Sequence, residues 1–503
     1  MLSKDIMLKH TEIELDYVRD IDMIHFFKNS IRGGLSFIGQ RYMNTKQKTQ
    51  ERKKSNLENP EVTSLLLDIN NLYGDSMSNP LPTEGYKWLT KNEIHNLDIS
   101  KYNKNSKFGY VLEVDLEYPE HLHLAHNSFP MATEHRIITE NDLSEYSNDC
   151  MNKLYNKQKF NEKKLVSTFL KKEKYICHIR NLQYYLENGL ILKNIYRVVK
   201  FEQKPFLKNF IDYCTKKRKE SKTKTQSDIY KLIANSIYGK FIESSGNRVN
   251  VKFITNEKAA RKSHTDPRFK SEIICSEKLS IVFMSQATQN MRRSWAIGFT
   301  ILELSKLKLT SLYYDHIVKA FDNEVTVLMS DTDSVLCTVP AKNSDKALKK
   351  IKDIMDFGNY HPSHKLYDTS RKNEVGFLKN ETPGEEITEF AGLKSKSYAY
   401  LLENDTHHSK LKGIKKPIKK TIGFKSLLKC LNNVSNFNVS QYSIESKKHQ
   451  INLVKKDKIG FNSFDCKRYY LCNIHSVPYG SIIITHFLNT NRCIFCDNKE
   501  VLI

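Results

Sequence analysis

The sequence is poor in proline and glycine, with 12 and 18 among 503 residues, which excludes a collagen-like fibre and a low-complexity linker chain. It has only two tryptophans, yet 26 tyrosines and 25 phenylalanines supply ample material for a core, so disorder over most of the length is excluded as well. Long apolar runs are missing. The strongest stretches, such as residues 481–488, fall far short of the roughly 20 residues that span a bilayer, and no membrane partner is expected. The first ten residues carry Lys4, Asp5 and Lys9 and no apolar segment, so no secretory leader is readable. Ten cysteines are scattered along the chain without a framework pattern and read as reduced thiols of an intracellular protein. Nucleus, mitochondrion and viral factory are not distinguished.

Acidic residues are also scarce, 57 against 80 lysines and arginines, for a net charge of +23. Cations interleaved with flat rings suit a polyanion carrying exposed bases, while solvated charged faces would give the same composition. Three basic runs, 46–54, 216–224 and 410–420, lie beside patterned segments and belong to a folded body. The second reads as a phosphate contact in preference to an import address. The length suggests about three packed units, without internal repeats.

Residues 64–68 (SLLLD) and 110–116 (YVLEVDL) read as strands, and 325–329 and 335–339 as a hairpin with an acidic tip. Residues 227–242 and 295–318 have helical spacing, with Ile297, Ile301 and Leu304 on one face. The class is α+β, an antiparallel sheet backed by helices. Asp331 and Asp333 alternate at the hairpin tip and Asp68 ends a separate strand. If these strands pair, their carboxylates converge as oxygen ligands for Mg²⁺, the hard-cation geometry of in-line phosphoryl transfer. On its own, Asp-Thr-Asp-Ser is equally a polar turn. Lys231, Asn235 and Tyr238 share one helix face, bringing a mobile cation for a triphosphate and a ring for a nascent base pair, although a solvated helix face has a similar pattern. Arg218 and Lys219 lie 12–13 residues upstream, and a helical hairpin would return one of them beside Lys231.

Together, Asp68-Ile-Asn-Asn-Leu-Tyr73-Gly, Lys231 to Gly239 and Asp331-Thr-Asp333-Ser resemble, in order, motifs A, B and C of family B DNA polymerases. The likeness is to the protein-primed branch of bacteriophages, linear organellar plasmids and Maverick or Polinton transposons. Ile31-Arg32-Gly33-Gly34 resembles that branch's template-contacting Tyr-x-Gly-Gly motif, with Ile in place of Tyr, and Lys396-Ser397-Tyr398 its primer-holding Lys-x-Tyr motif.

The resemblance implies a right-hand polymerase fold with an antiparallel palm sheet, helical fingers and a thumb. Its divisions are 1–90 (N-terminal segment and first part of the palm), 91–205 (an insertion contacting a priming protein), 206–245 (fingers), 246–400 (palm) and 401–503 (thumb and tail). It implies a DNA-directed DNA polymerase adding dNTPs to a primer 3′-hydroxyl with two Mg²⁺ ions, Mn²⁺ able to substitute. Asp68, Asp331 and Asp333 would be catalytic, with Asp68, Asp333 and the Ile69 carbonyl holding metal. Tyr73, Arg218, Lys219, Lys231, Asn235 and Tyr238 would bind nucleotide, and Arg32, Gly33, Gly34, Lys396 and Tyr398 would bind DNA. Primer-template DNA, dNTPs and a terminal priming protein are the implied partners.

Departures from the pattern are Gly74 where many members have Pro, Ser330 where many have Tyr, and only 67 residues before Asp68. No proofreading exonuclease is expected there. Asp115, followed by Tyr118-Pro119, is a rival for motif A but lacks the Leu-Tyr offset. Cys472-x2-His475 and Cys493-x2-Cys496 have zinc-ribbon-like spacing, but free thiols are the expectation. His121, His123 and His126 are expected in a solvated loop. Two other classes stand beside the polymerase: an inactive, basic DNA-binding remnant, and a reverse-transcriptase-like enzyme, disfavoured because its motif C acids would be adjacent.

Overall fold

Within residues 62–69, residues 65–67 are three successive leucines ahead of Asp68, apolar on both faces as in a strand covered on both sides. In the computed structural model, which describes residues 2–55, 57, 60–155, 160–243, 248–286, 293–447 and 450–496, this segment is the strand Val62–Ile69 within a six-stranded sheet. The strand order is Ser36–Ile38, Thr326–Asp331, Ser334–Pro340, Val62–Ile69, Leu378–Asn380, Met355–Asp356. Every pair is antiparallel except the last, which is parallel. The expected hairpin is present, with a tighter connection than its sequence suggests: Asp331 closes one strand and Ser334 opens the next, leaving Thr332 and Asp333 as the turn.

Alternation along the strand sorts its side chains. Leu65, Leu67 and Ile69 enter the largest core, with Val335, Cys337, Tyr313 and Ile317. Leu66 faces the other way, toward Leu336, Phe390 and Tyr398, and Asp68 shares its parity. That second face is covered by a four-stranded sheet ordered His407–Leu411, Ser397–Leu402, Ile387–Lys394, Tyr42–Asn44. Behind the first face runs the helix Trp295–Ser311, buried on nearly all sides and continued by a π-helical stretch, Leu312–Val318. It packs against the helix Leu72–Met77 and against a further sheet ordered Leu81–Trp88, Ile191–Lys204, Phe108–Glu117, Lys172–His178.

Two helices, Lys208–Glu220 and Lys224–Phe241, form a hairpin whose apolar faces join Ile297, Ile301 and Leu304 in one cluster. Residues 249–285 make a separate three-stranded sheet, and Asn436–Lys447 with Gln450–Asn462 make a long two-stranded ribbon. Among the described residues, no helix is long and apolar enough to cross a membrane.

Candidate active site

Register brings the acids together. Ser334 pairs with Asp68, and the Ile69 amide donates to the Asp333 carbonyl at 2.8 Å, so the end of one strand is fastened to the turn of the neighbouring hairpin. The turn is held from the other side, where the Thr332 amide donates to the Leu35 carbonyl at 2.8 Å. Thr332 takes φ of 73°, a left-handed value costly for a β-branched residue. Gly34 lies directly against it: a Cβ at Gly34 would stand 2.5 Å from Thr332 Cγ2. The second glycine of the Gly-Gly pair is therefore required by the acidic turn itself.

Burial pushes the Asp68 carboxyl up to about 6; Lys379, 3.4 Å away, works against that rise and the Asp333 charge adds to it. Asp333 is raised as well, by burial and by the charge of Asp331. Lys379 acts on Asp68, and Lys410 and Lys396 act on Asp333, yet both carboxyls stay raised, and an oxygen-rich donor set of this kind fits a hard divalent cation. Asp331 differs. Burial alone would raise it, but Lys396 at 2.8 Å and Lys410 at 2.5 Å hold it below the usual carboxylate range, and Ser36 donates to it at 3.2 Å.

Asp68, Ile69, Tyr73, Asp333, Arg218, Lys231 and Asn235 line one cleft. The sheet supplies the acids, and the helical hairpin supplies the cations and the amide. Ala234, Ile237 and Phe241 anchor the helix Lys224–Phe241 in the core while Lys231 and Asn235 stay exposed on its other side. Lys231 makes no ion pair with any described residue. Arg218 is half-buried, and its Nε has no hydrogen-bond partner. Lys219 is exposed and does not line the cleft, so of the two upstream cations it is Arg218 that the hairpin returns beside Lys231. Tyr238 stacks on Tyr73 with ring centroids 4.3 Å apart. Asn71, at φ of 47°, caps the helix Leu72–Met77 by accepting from the Gly74 amide at 3.1 Å. A Cβ at residue 74 would meet Asn71 Nδ2 at 2.1 Å, which accounts for glycine after the Leu-Tyr pair.

The expectation for Arg32 is corrected. Its side chain is 7% exposed, 3.3 Å from Glu303, stacked over Tyr175 at 4.0 Å, and it donates to the Ile176 carbonyl. Bound to the interior in this way, it is not free to touch a template strand; Gly33, by contrast, is exposed with nothing near its α-carbon substituent position. Lys396 occupies the turn before Ser397–Leu402 at φ of 62° and reaches the acid cluster. Tyr398 is 6% exposed, and its phenol is raised by burial and by the Asp331 charge. It forms the floor beside the acids and presents little surface.

Asp115 lies in a different sheet from Asp331 and Asp333. Hydrogen bonds from the Asn194 amide, the Tyr196 hydroxyl and the Lys174 amide hold it down to about 2, so it acts as a local brace. The expected solvated histidine loop is corrected in part: His121 is exposed, but His123 and His126 are buried, His123 stacked on Phe169 and His126 bonded to the Tyr118 hydroxyl at 2.6 Å. The Tyr-Pro sequence after Asp115 supplies that apolar lid. Two residues escape sequence reasoning. Lys410 stands in the third basic run but owes its place to cross-strand pairing with Tyr398, and Lys379, opposite Asp68, has no local signal.

No family model matches the sequence, and no curated protein matches it. Among solved structures the chain is similar to phi29 DNA polymerase in an orthorhombic crystal form, with TM-score 0.54 and 16% identity over 91% of this chain and 66% of that one. It is also similar to phi29 DNA polymerase complexed with primer-template DNA and incoming nucleotide substrates, with TM-score 0.56 and 15% identity over 91% and 67% of the two chains. This chain thus spans about two thirds of their length, and at such identity the likeness is one of fold: the mixed helix-and-sheet architecture is similar to that of phi29 DNA polymerase.

Proposed function

We propose that the protein is a DNA-directed DNA polymerase, with the cleft between Asp68, Asp333, Arg218 and Lys231 as its active site. The observation that carries this reading is the junction of two elements far apart in sequence, a paired-carboxylate turn and a cationic helix face, in one cleft. Likeness of fold to a polymerase complexed with primer-template DNA and nucleotide supports it.

Asp68, Asp333 and the Ile69 carbonyl are the groups that would hold Mg²⁺. When bound, the metal lowers the pKa of the primer hydroxyl and neutralises charge on the transferring phosphate. Lys231 and Arg218 bind the triphosphate of a dNTP, Lys231 as a mobile point charge and Arg218 as a planar fork. Asn235, Tyr73 and Tyr238 confine the sugar and base, excluding a ribose 2′-hydroxyl at Tyr73. Lys396 and Lys410 keep Asp331 charged and occupied, so Asp331 positions the lysines at the primer side instead of holding metal. The Gly33–Gly34 main chain and the exposed lysines near it face the template. Membership of the protein-primed, mobile-element branch and a terminal priming protein as partner belong to the same reading. Extension of a primed DNA template by the purified chain, requiring template, dNTPs and Mg²⁺, tests it; failure to extend despite tight, salt-sensitive DNA binding would favour the inactive remnant.

A further inference from the structure

Outside the cleft, one cluster of metal-ligating side chains stands out among the described residues. Cys472, His475, Cys493 and Cys496 each offer a ligand atom, and all four atoms lie within 4.8 Å of one another. Cys472 Sγ is 3.9 Å from Cys493 Sγ and 3.9 Å from Cys496 Sγ, while His475 Nδ1 is 3.4 Å from Cys472 Sγ and 3.7 Å from Cys493 Sγ. Thiolates about 2.3 Å and an imidazole about 2.0 Å from a tetrahedral ion stand roughly 3.5–3.8 Å apart. The separations here have that size. They are nearly twice a disulfide bond, and they are too short for thiolates set around a cluster of several irons.

The backbone supports the same conclusion. Cys472 and His475 occupy the turn joining the short strands Tyr469–Tyr470 and Ser476–Val477, closed by the Leu471 amide donating to the His475 carbonyl at 2.9 Å. The His475 amide points at Cys472 Sγ, 3.3 Å away, an orientation that favours a thiolate over a thiol. Cys493 and Cys496 lie past the helix Ile482–Thr490, where the Cys496 amide donates to the Cys493 carbonyl at 3.3 Å. Two short turns, each ending in paired ligands and separated by a helix, meet at one point.

We propose that these four residues form a structural zinc site. Three sulfurs and one nitrogen suit Zn²⁺ above the hard cations of the cleft, and with all four positions filled by protein no position is open for catalysis. The site fastens the turn after the helix Ile482–Thr490 to the body. His475 bridges to Gln40, the Arg41 amide donates to the Ile474 carbonyl at 2.9 Å, and Ser476 Oγ donates to the Gly39 carbonyl at 2.7 Å. Arg41 leads directly into Tyr42–Asn44, which pairs with the strand preceding the Lys396 turn. The zinc thus braces, through one strand, the sheet that carries Lys396 and Lys410.

Zinc in the purified full-length chain is measured by inductively coupled plasma mass spectrometry, beside the variant Cys493→Ser with Cys496→Ser and the control Cys275→Ser at an exposed cysteine. About one zinc per chain is expected in wild type and control, and a small fraction of that in the double variant. Absence of zinc from wild type grown with added zinc, stoichiometric iron in its place, or full zinc retention by the double variant overturns the proposal. Should the double variant fail to fold, Co²⁺ exchanged into the wild-type chain decides: thiolate-to-cobalt charge transfer with intense tetrahedral bands is expected, and a weak octahedral spectrum contradicts it. Neither readout depends on polymerase activity, so failure of one reading leaves the other standing.

Discussion

The ring of Tyr73 lies on the ring of Tyr238, centroids 4.3 Å apart and planes 19° from parallel. One belongs to the helix that follows the Asp68 strand, the other to the helix that carries Lys231 and Asn235. The stack joins the carboxylate half of the cleft to its cationic half.

Removing one ring should loosen selection at the sugar. Tyr73→Ala is expected to raise ribonucleotide incorporation by about tenfold or more, the equivalent of at least ~1.4 kcal/mol of discrimination, with deoxynucleotide incorporation reduced less. Single-nucleotide kcat/KM for a dNTP and its ribonucleotide measures this. Unchanged discrimination would remove Tyr73 from the sugar pocket.

Gly34→Ala places a methyl group against Thr332, so it should displace the acidic turn and lower primer extension by about a hundredfold, ~2.7 kcal/mol. Thr332→Gly relieves both the collision and the left-handed strain, and the double variant should recover much of the loss. Effects that simply add would mean that the two residues do not act on each other.

For Arg32 the expectation is one of stability. Arg32→Ala leaves Glu303 buried with Lys306 as its remaining ion-pair partner, and loss of one member of a buried pair costs about 3–5 kcal/mol. Denaturant unfolding should show the loss. The salt dependence of DNA binding, in contrast, should keep its wild-type slope, and a shallower slope would return Arg32 to the DNA interface.

Burial, with His121 and His123 nearby, lowers His126 to about 4 from an ordinary 6.5. Between these values the unfolded chain takes up a proton that the folded chain refuses, so stability is full above about 6.5 and falls as the pH drops toward 4. The contribution is about 3 kcal/mol. His126→Asn should flatten the pH dependence of the unfolding free energy in that window, and an unchanged slope would assign the acid sensitivity elsewhere. Tyr118 and Tyr314, the rings packed around His126, stay neutral throughout it.

The side chains that converge on the cleft are more legible in the sequence than the residues that support them. Asp68, Asp331 and Asp333 are readable because an acid ending an apolar strand and a pair alternating at a turn are local patterns, and the Lys231, Asn235, Tyr238 face is a helical period. Arg32 is misread because nothing in Arg-Gly-Gly reports Glu303, which lies 271 positions away in the chain. Lys379 and Lys410 are invisible for the same reason, since only strand register carries them to Asp68 and Asp331. The histidines are misjudged because their loop is polar in composition while the rings that join Tyr118 over it, Phe169 and Tyr314, come from two distant segments. The C-terminal spacing is visible in the sequence, but only the return of the final turn onto Cys472 brings four ligands to one point.

The most direct test of the central claim is primer extension by Asp333→Asn beside wild type, on one primed template with and without Mg²⁺, with DNA affinity measured on the same preparations. Wild type should extend only with Mg²⁺, and Asp333→Asn should bind DNA as tightly while extending at least about a thousandfold more slowly, a loss of ~4 kcal/mol in the transition state. Extension by Asp333→Asn at a rate close to that of wild type would contradict the account.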